Sequence, residues 1–167
     1  MHGRHNVNVT GDYIEYSKNT FHSFQSAMVE DSKYCSIVYL KPTKDSYDYT
    51  SWGNNASQIY DSQGVGENVS RIKFSHSCWP NCTDLEHSIF CINSQNLFAC
   101  IGLRNKSYCI LNKQYTKEEY EKMVPRIIEH MNSMPYIDKK GRVYKYGEFF
   151  PPELSPFAYN ATIAQEY

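Results

Sequence analysis

The chain has 167 residues, the size of one domain, with 15 Tyr, 17 Ser and 13 Asn against six Ala and six Leu. That composition disfavours a helical protein and favours strands joined by polar turns. A formal net charge of −1 and a pI near 6.6 offer no field for polyanions and argue against a general nucleic-acid binder without a local patch; the basic residues are scattered apart from Lys139-Lys140-Gly141-Arg142.

At the start, Met1-His-Gly-Arg-His5 has no apolar stretch after its charges, and Gly11-Asp12 reads as a turn before a first strand, Tyr13-Ile-Glu-Tyr16. No segment approaches the roughly 20 apolar residues needed to cross a bilayer. The expectation is a cytoplasmic protein with no membrane partner. From Ser17 to Asn112 one phrase recurs at intervals of 11 to 15 residues, a small polar residue followed about five positions later by another. It reads Ser46-Tyr-Asp-Tyr-Thr-Ser51, Ser57-Gln-Ile-Tyr-Asp-Ser62, Ser70-Arg-Ile-Lys-Phe-Ser75, Thr83-Asp-Leu-Glu-His-Ser88 and Ser94-Gln-Asn-Leu-Phe-Ala99, with Ser23 and Ser36 extending the series upstream.

A repeat that short is one coil of a solenoid. It predicts a mainly β protein, a narrow parallel β-helix of seven to eight short coils over residues 1–113. Each coil is filled by about two short strands and two tight turns. The closing residues Ser51, Ser62, Ser75 and Ser88 are expected to stack about 4.8 Å apart. Corners fall at Gly53-Asn-Asn55, Gly64-Val-Gly66 and Asn93-Ser94, residue types that tolerate the left-handed region.

The pattern changes at Gln114. Thr116 as N-cap with Glu119 three residues on is a capping box, and Tyr120, Met123, Val124, Ile127, Ile128 and Met131 form one apolar stripe. A helix over 117–133, in a segment 114–134, is expected to cap the open end of the solenoid, with Pro125 removing one of its hydrogen bonds. Tyr136-Ile137 and Val143 to Tyr146 then flank the Gly-containing loop 138–142 as a hairpin. The extension 135–167 ends in a helical start over 160–167 without a terminator, so it reads as truncated.

The stretch from Asn96 to Tyr120, continuing through Met123-Val-Pro-Arg-Ile-Ile-Glu-His-Met131 and Tyr146-Gly-Glu-Phe-Phe-Pro-Pro-Glu-Leu-Ser-Pro-Phe157, resembles a family of uncharacterised proteins of candidate phyla radiation bacteria. The resemblance covers nearly the whole chain. It implies that longer relatives carry Cys-x-x-Cys zinc ribbons outside the solenoid; this chain has no such pair, so that metal is not carried over. A CoA-transferase label borne by some relatives implies an enzyme of more than twice this length, with a catalytic aspartate in a doubly wound domain, and neither is readable here.

His76, Cys78, Cys82, His87 and Cys91 are the densest metal-capable set, but their spacing fits no standard ribbon or finger. No metal and no cofactor is assigned. If a metal were held, His76, Cys78, Cys82 and His87 would be its candidates. The six cysteines read as buried thiols, and Cys82, Cys91, Cys100 and Cys109, nine residues apart, fall out of step with the coil. Asn-x-Ser/Thr triplets at Asn8, Asn55, Asn68, Asn81, Asn105 and Asn160 read as products of composition. No Gly-x-Ser-x-Gly elbow marks a nucleophile.

Asp45, Asp48, Asp61, Asp84 and Glu86 fall at related coil positions, where a β-helix hydrolase would carry its carboxylates. The recurring aromatics Tyr34, Tyr39, Tyr47, Tyr49, Tyr60, Phe74, Phe90, Phe98 and Tyr108 are expected in a stacked core or amphipathic wall, with an exposed platform for sugars or bases as the alternative, and Trp52 and Trp79 near corners are the candidate binding residues. The resulting expectation is a non-enzymatic scaffold or binding module, with a protein or glycan partner favoured over nucleic acid. A carbohydrate-active β-helix enzyme and a nucleic-acid accessory protein are the alternatives.

Overall fold

The structure, a computed structural model, describes residues 3–148 together with Pro151 and Glu153. The helical start expected over 160–167, and most of the tail before it, lie outside the described residues. The strands are β1 (Val7–Glu15), β2 (Lys18–Ala27), β3 (Val29–Lys33), β4 (Ser36–Tyr39), β5 (Thr43–Lys44), β6 (Tyr47–Gly53), β7 (Ala56–Gly66), β8 (Val69–Lys73), β9 (Thr83–Glu86), β10 (Gln95–Phe98), β11 (Ser107–Ile110) and β12 (Lys113–Gln114). Every pairing from β1 to β11 is parallel and steps 11 to 14 residues along the chain. This is a β-solenoid of about eight coils.

The coil is built from three-residue sides. From Ile14 to Val38 every third residue points inward, and the residue before each has φ between 47° and 57°, as at Tyr13, Tyr16, Asn19 and His22. Four such sides close one turn, as in Val65, Val69, Ile72 and Ser75, followed by Cys78, Cys82, Leu85 and Ser88, all buried. The cross-section is therefore a square with four inward residues per coil. Asn, Asp and Gly take many corners because their left-handed conformation costs least. Tyr, Phe and His at other corners are held by cross-coil backbone bonds such as Tyr34 N–H to the Phe21 carbonyl (3.0 Å) and Phe74 N–H to the Tyr60 carbonyl (3.1 Å).

The interior is filled by Ser, Thr, Cys, Val, Ile and Leu, not by stacked aromatics. Four short sides leave too little width for rings, and Tyr49 is the exception. Its ring crosses the lumen where Gly53 supplies no side chain, and its hydroxyl donates to the Val65 carbonyl and accepts the Gly53 N–H at 2.7 Å. Inward serines solve a backbone problem. Each donates to the carbonyl two residues back and accepts the N–H of the residue stacked on it in the next coil: Ser75 Oγ donates to Lys73 O (2.8 Å) and accepts from Ser88 N (3.1 Å).

One column therefore runs Ser23, Cys35, Tyr49, Ser62, Ser75, Ser88, Cys100. Ser62, Ser75 and Ser88 stack as expected, whereas Ser51 lies at a left-handed corner outside the column and Ala99 at the corner beside it. A side has three residues whereas the recurring phrase spans five positions, so its two ends do not keep one phase.

Coil length varies because extra residues are taken up on one side, between Val38 and Thr43, Val65 and Val69, and Cys78 and Cys82, and next to it between Tyr49 and Gly53. Gly11 is a bulge in β1 rather than a turn, since a side chain there would meet the Ser23 carbonyl oxygen at 1.8 Å. At the far end β12 pairs antiparallel with β11 and stops the parallel ladder.

Helix α1 (Lys117–Ser133) begins at the expected capping box, with Thr116 Oγ1 accepting Glu119 N–H at 3.2 Å and Glu119 returning to Thr116 N–H at 2.9 Å. It continues through Pro125. Tyr120, Met123, Val124, Ile127, Ile128 and Met131 are half-buried, and the helix packs on β11, with Tyr120 edge-on to Tyr108 at 5.8 Å. The hairpin pairs β13 (Tyr136–Ile137) with β14 (Val143–Tyr144) around Asp138, whose carboxylate accepts Lys140 N–H, Arg142 N–H and the Arg142 guanidinium at 2.6 Å. Arg142 of the basic cluster is thus engaged within its own loop.

Candidate functional site

Trp52 and Trp79 are brought together. Trp52 is on β6 and Trp79 in the segment between β8 and β9, both among the spare residues of the longer sides, and their indoles stack 5.3 Å apart at 17°. They meet across the intervening coil at Gly66, where an added Cβ would lie 1.8 Å from Trp52 Cδ1. Both remain 37% exposed. A gap of 5.3 Å admits no ring between them, so the pair offers outer faces and edges only.

The metal-capable set does not converge. His76 points outward, edge-on to Phe90 at 5.8 Å. Cys78 points into the lumen, its thiol donating to the His76 and Ser88 carbonyls. Cys82 occupies another inward side and donates to the Pro80 and Cys91 carbonyls. His87 stands on an outer corner, stacked on Phe74 at 4.8 Å and edge-on to Phe98 and Tyr146. Among the described residues no three His, Cys, Asp or Glu side chains form a metal-holding group.

Burial lowers the pKa of both histidines. The nine-residue cysteines climb as a staircase rather than one column, each thiol donating to the carbonyl of the next, Cys82 to Cys91, Cys91 to Cys100 and Cys100 to Cys109. Burial pushes the Cys35 thiol up to about 12 and that of Cys100 to about 11, so these two keep the protons they donate.

The Asn-x-Ser/Thr triplets have a structural origin. Asn55, Asn68 and Asn81 stand at left-handed corners, the next residue points inward, and Ser57, Ser70 and Thr83 open the following side. Asn55 Nδ2 donates to Asn68 at 2.8 Å and Asn68 Nδ2 to Asn81 at 3.3 Å, an amide ladder along one edge.

The five carboxylates separate into distinct settings. Asp84 takes a two-point contact from Arg71 at 2.6 and 2.9 Å; Glu86 accepts from Lys73 at 3.0 Å and from the Tyr146 hydroxyl at 2.8 Å. Asp48 and Asp61 share one outward column on adjacent coils, and burial, aided by the Asp48 charge, raises the Asp61 pKa. Neighbours in one column project the same way, so they do not face each other across a sugar, as paired glycosidase carboxylates must.

Beside these residues lies a groove of about 540 Å³. Tyr47 and Tyr60, stacked in register on β6 and β7, form one wall; Gln58, Arg71, Asp84 and Asn96 line the other; Tyr120 and Val124 of α1 close its end. The sequence gives no local sign of it, because its members recur one coil apart. A second cavity of about 360 Å³ lies between the last coils, α1 and the hairpin, lined by Phe98, Ile110, Ile127, Met131 and Tyr144 among others. No protein-family model matches the chain, and no curated protein is similar to it.

Proposed function

We propose that the protein is a non-enzymatic β-solenoid scaffold or binding module that presents its lateral face to a protein or glycan partner. The observation that carries this reading is the state of the carboxylates. Asp84 and Glu86 are engaged by cations of the preceding coil, and Asp48 and Asp61 stand in parallel rather than opposed. What remains is a rigid face repeating about every 4.8 Å, the property a solenoid supplies to a partner.

Incubation with a panel of polysaccharides and assay of new reducing ends tests this. No release is expected. Release abolished by Asp48→Asn or Asp61→Asn would move the protein to the carbohydrate-active class, and binding of nucleic acid that weakens steeply with salt would move it to the nucleic-acid class.

A further inference from the structure

The groove beside Tyr47 and Tyr60 has a composition that selects among ligands. Tyr47 and Tyr60 are 46% and 42% exposed, one directly above the other in the coil register, so they present two adjacent amphipathic ring surfaces. Opposite them stand side chains of planar, multi-dentate hydrogen-bonding capacity: the amides Gln58 and Asn96 and the Arg71–Asp84 pair.

The charges lining the groove compensate one another. Arg71 is held by Asp84 and Lys73 by Glu86, with Asp45 adding a further carboxylate, so two cations stand against three anions. A phosphate or nucleic-acid ligand would meet no excess positive charge. The volume of about 540 Å³ lies within the usual range of small-molecule sites. Along the solenoid axis Tyr47 and Tyr60 stand one coil apart, about 4.8 Å in the backbone, close to the length of one pyranose unit in an extended chain.

We infer that this groove binds a neutral oligosaccharide, with pyranose faces on Tyr47 and Tyr60 and hydroxyls bridged by Gln58, Asn96 and the Arg71–Asp84 pair. This rests on the binding-module reading and names the ligand class of that face. Cellohexaose, chitohexaose, xylohexaose and mannohexaose are the probes, each titrated by calorimetry and checked by saturation-transfer NMR, with a heparin hexasaccharide as the charged comparison.

Binding of at least one neutral hexasaccharide is expected. The Tyr47→Ala/Tyr60→Ala variant should lose about tenfold or more in affinity, about 1.4 kcal/mol, while Tyr47→Phe/Tyr60→Phe, which keeps both rings, should retain it and provides a folded control. Absence of binding to all four neutral probes at millimolar concentration would overturn the inference. So would binding that survives in the double Ala variant, or tighter, salt-sensitive binding of the heparin fragment. Chromatography of the same mixtures separates the two levels: cleavage of a bound probe would refute the non-catalytic reading while leaving the groove assigned as the saccharide site.

Discussion

Ser75→Ala removes one oxygen from the centre of the solenoid, and the structure specifies which backbone group suffers. Ser75 is fully buried, with its hydroxyl donating to Lys73 O at 2.8 Å and accepting Ser88 N–H at 3.1 Å. The Lys73 carbonyl keeps a second donor, His87 N–H at 3.1 Å, so the group left without a partner is the Ser88 N–H. A buried donor stranded in this way costs about 1–3 kcal/mol. Urea unfolding should show a free energy of unfolding lowered by that amount, with an earlier midpoint at unchanged slope, and hydrogen exchange should accelerate at the Ser88 amide ahead of its neighbours. Ser75→Cys should cost less, because Cys35 and Cys100 already stand in the same column with thiols donating to the carbonyls two residues back. A loss below about 0.5 kcal/mol, smaller than one net hydrogen bond, with unchanged exchange at Ser88 would refute the role assigned to the inward serines.

Thr43 provides the opposite sign: its hydroxyl is buried between Val29 and Ala56 with no hydrogen-bond partner among the described residues, so Thr43→Val should raise stability by about 1 kcal/mol in the same urea assay. Gly66→Ala would drive a methyl group to within 1.8 Å of Trp52 Cδ1 and 2.4 Å of the Gly53 carbonyl oxygen; loss of the indole exciton couplet in circular dichroism and a fall in thermal midpoint are expected. Asp61 has a raised pKa, so its ionisation penalises the folded state once pH rises above the ordinary value of 3.8. Asp61→Asn should therefore be more stable than the parent at neutral pH, with the difference vanishing below that pH in parallel urea titrations.

The solenoid, its length and its end were legible because their signals are local or strictly repetitive. The capping box at Thr116 and Glu119 is in place, and the half-buried positions of α1 are the six read from the apolar stripe. The three-residue side is hidden in the sequence because its inward position is chemically mixed. Ile59, Ile72, Leu85, Leu97 and Cys109 form one column, while Ser62, Ser75, Ser88 and Cys100 form the next. Searching for small residues alone finds the second column and mistakes the outward Ser51 and Ala99 for members of it. Corners at Tyr34, Phe74 and His87 were equally hidden, since nothing in those side chains favours positive φ. The groove could not be read because Tyr47, Tyr60, Arg71 and Asp84 follow one another at steps of 11 to 13 residues along the chain and only the coil register brings them together.

The placement of spare residues on one side of the square carries a practical consequence. At Leu40 to Pro42, Glu67-Asn68 and Trp79 to Asn81 the chain has already absorbed additions without disturbing the columns before or after them. A peptide grafted at any of these points should emerge from the same flank. A single insertion into a strict three-residue side on the two remaining faces would turn the following inward residues of that coil toward solvent. The molecule therefore takes additions mainly along one side, with a single further one on the side next to it at Tyr49 to Gly53, which makes the first a natural rack for displaying foreign sequences at fixed intervals.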